Sequence, residues 1–166
     1  MHNIGAPDMD NNEEAERAAL LIRSYEGELI GSAMYEKLMH FHTGRQREAL
    51  ELLRDMEQVT AEALSSLIEK YSVIVDPEKS RLQGLALAEK LKDREWKDMW
   101  RDVVELADDY LDDFRRLEEL LGANDSRIGR QVVEHETTMI EFAKKECADD
   151  QDAAQLLREH LHQYSR

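Results

Sequence analysis

The chain has 166 residues, of which 42% are hydrophobic, and this length suits one domain with its own hydrophobic core. Acidic residues outnumber basic ones by 37 to 22, giving a formal net charge of −15 without a dense Lys/Arg cluster, which argues against binding of nucleic acids or anionic membranes. Only two prolines and seven glycines interrupt a sequence rich in helix-forming residues, so we expect an all-α protein without β-strands.

Cysteine content and the first residues predict the compartment. The single cysteine, Cys147, excludes an internal disulfide, and residues 1–14 contain neither a basic start nor an apolar run typical of a secretion signal. No stretch approaches the length of a membrane span. We therefore expect a cytoplasmic protein.

The first two predicted helices form a pair joined by a tight turn. Residues 1–10 have no periodicity and predict a disordered leader, so we assign a single helical domain to residues 11–166. Apolar residues at helical spacing predict a first helix from Asn11 or Asn12 to His42. Thr43 and Gln46 have the spacing of a capping box for a second helix that ends near Tyr71.

Three further segments with clear start and stop signals follow. Asp76 and Pro77 predict the beginning of a short helix that ends near Lys92. A third long helix contains Trp96 and Trp100, which we expect to anchor it in the core, and stops at Gly122. A fourth, capped by Asn124 or Asp125, continues to about Cys147, and residues 149–164 predict a short C-terminal helix.

The lengths of the connections predict how the long helices are arranged. Short links between the first and second helices, and between the third and fourth, require two antiparallel hairpins. The link between these hairpins has about 22 residues and spans roughly 45 Å, enough to cross a bundle. An antiparallel four-helix bundle with a long crossover is the ferritin-like topology, although the same link can also fold back locally in an up-down-up-down bundle.

Three glutamates occupy positions where the helical pattern calls for apolar residues. Glu28, Glu57 and Glu136 each lie in the apolar arc near the middle of a long helix, so we expect them to meet at one level of the core. Carboxylates that close together cannot all ionise without a counter-charge. A cation such as Fe²⁺ or Mn²⁺ would remove the repulsion.

With these glutamates the chain resembles the ferritin-like superfamily, in particular its small rubrerythrin-like bundle proteins. The resemblance lies in segments 28–36, 55–58 and 133–143 and covers roughly residues 12–147. It implies a site for two metal ions, such as a di-iron site, that activates oxygen or peroxide, built in the family from one glutamate on each of two helices and an E-x-x-H motif on each of the other two. Glu28, Glu57 and Glu136 match glutamates of that pattern.

Other positions depart from the pattern of the family. Thr60 and Met139 stand where the two histidines are expected, and Ala107 stands where the third long helix would supply its glutamate. His135, next to Glu136, is the fourth candidate metal ligand if its helix is rotated, since adjacent residues point about 100° apart. Glu36 lies at the edge of the buried arc.

A metal-free interpretation stands beside the metal site. The glutamates can form a buried polar network, with Arg54 supplying the positive charge near Glu57. The function would then be that of an acidic interaction module, whose segments 108–113 and 149–152 bind a basic protein partner. A homodimer is compatible with both alternatives. We interpret the remaining histidine pairs, His40 with His42 and His160 with His162, as surface residues.

Overall fold

The computed structural model describes residues 10–165, which fold into six packed α-helices and contain no β-strand, as the composition predicted. The helices are α1 (Asn11–Leu38), α2 (Gly44–Lys70), α3 (Pro77–Leu91), α4 (Trp96–Leu121), α5 (Ser126–Cys147) and α6 (Ala154–Tyr164), with a 3-10 turn at Ala123–Asp125 before α5. The predicted leader lies outside the described residues except for Asp10, which caps α1 by accepting a hydrogen bond from the Glu13 backbone N–H. None of the described helices is long and apolar enough to cross a membrane.

Two helix pairs and two shorter helices make up the assembly. α1 packs on α2 and α4 packs on α5, each pair joined by a short turn. α3 packs on α1, and α6 packs on α2 and α5. α3 and α4 both contact α1 but pack little against each other.

The segment between α2 and α4 carries the chain from one end of the helices to the other. It begins at Tyr71, whose ring lies 4.0 Å from the guanidinium of Arg17 near the start of α1. It ends before Trp96, whose ring lies 5.4 Å from His42, just beyond the end of α1. α3 therefore runs in the same direction as α1.

Contacts at the helix ends give the directions of the remaining helices. Arg116, near the end of α4, pairs with Glu16 at the start of α1 at 2.8 Å, so α4 is antiparallel to α1. Arg45, near the start of α2, pairs with Glu146 at the end of α5 at 2.6 Å. α5 is therefore antiparallel to α2, and α2 and α4 run in the same direction.

The close approach of α3 to α1 depends on a glycine. A Cβ atom on Gly84 would lie 2.3 Å from the backbone oxygen of Ile30 and 2.9 Å from the Cβ of Ala33. Real side chains do not approach backbone that closely, so any larger residue would push the two helices apart. Ser80 and Ala88, one turn to either side of Gly84, are also small and are buried.

The core consists of two apolar clusters. One contains Leu21, Leu64 and Leu117, and the other contains Leu53, Trp100 and Phe142. Trp96 and Trp100 are both buried, which confirms that they anchor α4. On α1, α2 and α5, the residues between the two clusters include buried polar side chains, and these form the layer described in the next subsection.

Several predicted helix boundaries need correction. Thr43 does precede α2, but its side chain makes no capping bond, and Gln46 instead bonds His42 Nδ1 at 2.9 Å, so the capping box is wrong. α1 ends at Leu38 rather than His42. The last helix begins at Ala154 rather than at Asp149, whose φ of +58° is not helical. Asp76 caps α3 as predicted, with its side chain accepting from the Lys79 backbone N–H at 3.0 Å.

Candidate metal centre

A layer of buried polar side chains separates the two apolar clusters. Glu28 comes from α1, Glu57 and Thr60 from α2, and His135 and Glu136 from α5. Their exposed fractions lie between 0% and 8%. Burying this many ionisable groups is costly unless they are paired or bind an ion, so the layer is the strongest functional candidate in the described part of the chain.

His135 lies between the carboxylates of Glu28 and Glu57. Its Nε2 is 3.5 Å from Glu28 Oε2 and 3.7 Å from Glu57 Oε1. On the other side of the ring, Nδ1 is 2.8 Å from Thr60 Oγ1. When Nδ1–H donates to Thr60, the lone pair of Nε2 points toward the two glutamates, which is the tautomer that a metal ligand requires.

Gly31 gives Glu57 the space that its carboxylate occupies. A Cβ atom on Gly31 would lie 2.7 Å from Glu57 Cδ and 2.8 and 2.9 Å from its two oxygens. A side chain at position 31 would therefore displace the carboxylate from His135. α1 therefore supplies both a candidate ligand, Glu28, and the space beside Gly31 that the candidate ligand Glu57 of α2 occupies.

The crowded carboxyl groups of the cluster hold their protons more tightly than isolated glutamates do. Burial, and then the neighbouring Glu57 carboxylate, raise the pKa of Glu28 well above its ordinary value. Burial also raises the pKa of Glu136 to about 7, although His135 opposes this shift. Burial on its own would lower the pKa of His135, but the carboxylates of Glu57 and Glu136 outweigh it and raise that pKa. All three shifts retain protons in the cluster, as expected where carboxylates crowd together.

The donor atoms have a geometry that one metal ion can accept. Metal–oxygen and metal–nitrogen bonds of about 2.0–2.2 Å place neighbouring ligand atoms roughly 3.0–3.6 Å apart. The distances from His135 Nε2 are close to this range, and one donor atom from each of Glu28, Glu57 and His135 lies within 4.8 Å of the others. Glu28 Oε2 is buried and has no hydrogen-bond partner among the described residues. This set of residues therefore fits a divalent cation.

The candidates from the sequence occupy different places in this arrangement. Glu28, Glu57 and His135 form the three-residue group, while Glu136 is buried beside it. Glu36 is exposed. Arg54 does not neutralise Glu57, because its guanidinium bonds Asp55 at 2.6 and 2.9 Å.

Sequence reasoning missed two features of the layer. Thr60 pairs with His135, whereas the sequence indicated only that Thr60 replaces an expected histidine and offers a hydroxyl group to the glutamates. His160 was wrongly interpreted as a surface residue, because α6 buries it with its ring centroid 5.9 Å from that of His135. Burial, and then His135, lower the pKa of His160 to about 4. A neutral ring therefore packs beside the cluster.

Comparisons of the chain with known protein families, with curated proteins and with solved structures find no match. The chemistry of the site follows from its own residues. Two carboxylates and one imidazole supply hard oxygen donors and a borderline nitrogen donor. Two ionised carboxylates also balance the charge of a divalent ion, which would remove the repulsion between Glu28 and Glu57.

Proposed function

We propose that this protein binds one divalent iron or manganese ion through Glu28, Glu57 and His135. The observation that carries the proposal is the convergence of these buried donor atoms within 4.8 Å, from three different helices. Glu136 lies beside them as a third carboxylate that a loaded site can hydrogen-bond or recruit. Thr60 and Gly31 hold His135 and Glu57 in position.

The donor set favours iron or manganese over magnesium or calcium. Magnesium and calcium prefer sites made only of oxygen ligands, whereas an imidazole suits transition metals. Glutamates supply hard oxygens that Fe²⁺ and Mn²⁺ accept readily. Both metals are consistent with the ligands.

We further propose that the helices belong to the ferritin-like class of bundles. In this interpretation α1, α2, α4 and α5 are the four bundle helices and the segment containing α3 is the crossover. Support comes from the end contacts, which give α2 and α4 the same direction and α1 the opposite one. That order of directions distinguishes a crossover bundle from an up-down-up-down bundle.

The proposed site departs from the di-iron pattern of that class in a specific way. The histidine comes from position 135 and not from position 139, which is Met139, and α2 contributes Thr60 in place of its histidine. Ala107 of α4 is buried and supplies no ligand. We therefore propose a single ion. Iron or manganese held there would supply Lewis-acid or one-electron redox chemistry.

Metal analysis of the purified protein tests this proposal. After growth with iron and manganese, we expect about one ion per chain. This ion should be lost when one of the three proposed ligands is removed, in Glu28→Ala, Glu57→Ala or His135→Ala. Glu136→Ala is expected to retain the ion. Circular dichroism checks that each variant is folded. A folded wild-type protein that binds neither Fe²⁺ nor Mn²⁺ under anaerobic titration would overturn the proposal and favour a metal-free polar network.

Two alanine substitutions on α1 are expected to differ in their effect on Mn²⁺ binding. Gly31→Ala should weaken Mn²⁺ binding by about 10-fold or more, because its Cβ displaces the Glu57 carboxylate. Gly27→Ala should leave Mn²⁺ binding unchanged and stabilise the protein by up to about 1 kcal/mol, since a Cβ there meets nothing within 4 Å. Calorimetric titration and urea denaturation measure the two quantities. Equal Mn²⁺ affinities for the two variants would contradict the role of Gly31.

A further inference from the structure

A cavity of about 410 Å³ extends from the surface to the polar layer. It lies over α1, between α3 and α4, where these two helices pack little against each other. Glu28, Glu57, His135 and Glu136 are among its lining residues. The candidate metal centre is thus at one side of a cavity whose volume is in the range of small-molecule sites, about 300–1,000 Å³.

The wall of this cavity is mostly apolar. Carbon-rich side chains from α1, α3, α4 and α5 provide it, namely Met34, Leu87, Leu91, Met99, Trp100, Val103, Leu106, Tyr110, Phe114 and Met139. Among the described residues, the charged side chains on the wall are Asp102 and the three glutamates, together with His135, and no Lys or Arg lines the cavity. The apolar lining favours an apolar molecule, and an anionic ligand would find no positive side chain of the described residues there apart from a protonated His135.

The outer part of the cavity exposes large apolar side chains to solvent. Leu106 of α4 is 50% exposed, Tyr110 of the same helix is 45% exposed and Leu87 of α3 is 39% exposed. Single exposed apolar residues are common in proteins. These three, however, line one cavity from two helices. Such a rim suits the passage of an apolar molecule from solvent to the interior.

Two polar atoms of cavity-lining residues are buried without hydrogen-bond partners among the described residues. They are Nε1 of Trp100, which can only donate, and Oε2 of Glu28. Buried polar groups are normally hydrogen-bonded. A neutral oxygen on a bound molecule would accept the Trp100 N–H, and a hydroxyl group would also donate to a carboxylate.

We propose that this cavity binds an apolar, uncharged small molecule that carries one hydroxyl or carbonyl group. Its volume of about 410 Å³ corresponds to about 14 nonhydrogen atoms if each occupies roughly the 30 Å³ of a water molecule in the liquid. Medium-chain alcohols and their carbonyl analogues have this size and polarity. Binding of such a molecule depends on the cavity alone. That the bound molecule is also a substrate of the metal centre rests on the function proposed above.

Titration of the full chain with 1-decanol tests this inference. We expect saturable binding at one site, seen as a change in tryptophan fluorescence because Trp100 lines the cavity, both without metal and after titration with Mn²⁺. Decanoate is expected to bind at least about 10-fold more weakly to the metal-free protein. Non-saturable partitioning of decanol, or equal affinity for decanoate, would overturn the inference.

A matched pair of variants ties the binding to the cavity. Gly27 itself lines the cavity, and a Cβ atom there meets nothing within 4 Å. A leucine at this position fills part of the cavity, so we expect Gly27→Leu to lower decanol affinity at least about 10-fold, while the smaller side chain of Gly27→Ala retains binding. Unchanged decanol affinity in a folded Gly27→Leu variant would contradict the location. Mn²⁺ titrations of the same samples separate the two proposals. If the protein binds decanol but not Mn²⁺, only the proposed metal site is wrong. If it binds Mn²⁺ but not decanol, only the proposed ligand site is wrong.

Discussion

Replacing Glu28 with Gln is expected to weaken metal binding strongly and at the same time stabilise the metal-free protein. The amide keeps the shape of the side chain but cannot supply a charged ligand oxygen, so Mn²⁺ affinity should fall by about 100-fold or more. Without metal, the substitution removes the cost of keeping a carboxyl group in a crowded, buried site. We expect the free energy of unfolding to rise by about 1–3 kcal/mol at pH 7.5.

The raised pKa values of the cluster determine whether the stability of the metal-free protein rises or falls with pH. A carboxyl group whose pKa is raised in the folded protein holds a proton that the unfolded chain has already released. Stability therefore falls as pH rises from the ordinary pKa of glutamate through the folded value, which for Glu136 is about 7. The raised pKa of His135 acts in the same direction. The stability that protonated His135 contributes is fully present below the ordinary pKa of histidine and is lost as pH rises through the pKa of His135 in the folded protein.

Urea denaturation of the EDTA-treated protein between pH 5 and pH 8 measures these effects. The wild-type protein should lose stability across this range, and Glu28→Gln should lose less, so the difference between the two widens with pH. Glu36→Gln is the matched control, since Glu36 is exposed on the same helix. A Glu28→Gln variant that is less stable than wild type at pH 8 would show that Glu28 is a structural hydrogen-bonding residue.

Local sequence signals predicted the helices because they depend on neighbouring residues. Pro77 after Asp76, and Gly122 with a φ of +68°, mark helix ends through their own backbone geometry. Burial of Glu28, Glu57 and Glu136 was likewise predictable, because helical periodicity places them on apolar faces.

Helical periodicity could not predict which buried residues form the candidate site, because that depends on how the helices are rotated and packed. His135 and Glu136 differ by about 100° on α5, and both are buried because α5 contacts helices on several sides. Which of the two approaches Glu28 is decided by the rotation of α5 about its axis, which packing against α2, α4 and α6 fixes. Gly31 is similar, since nothing in the sequence of α1 states that Glu57 occupies the space beside it.

A buried ion pair between α2 and α5, next to the start of α4, was not predicted for the same reason: helical periodicity does not show which helices pack together. Glu146 of α5 has a side chain with no exposed surface and accepts hydrogen bonds from Arg45 of α2 at 2.6 and 3.1 Å. The indole Nε1 of Trp96, at the start of α4, donates to the same carboxylate at 2.7 Å. Arg45 and Trp96 lie 101 and 50 positions away from Glu146, so only the tertiary structure brings these residues together.

Replacing Arg45 with Ala is expected to lower the free energy of unfolding by about 3 kcal/mol, because it leaves the buried Glu146 carboxylate with only the Trp96 donor. The double variant Arg45→Met, Glu146→Leu should recover most of this loss, since an apolar pair carries no uncompensated charge. Arg81→Ala is the control: Arg81 pairs with Glu78 at the surface of α3, and its loss should change stability by less than about 1 kcal/mol. Urea denaturation of the four proteins measures these differences. If Arg45→Ala were no more destabilising than Arg81→Ala, the ion pair would not be what holds the ends of α2, α4 and α5 together.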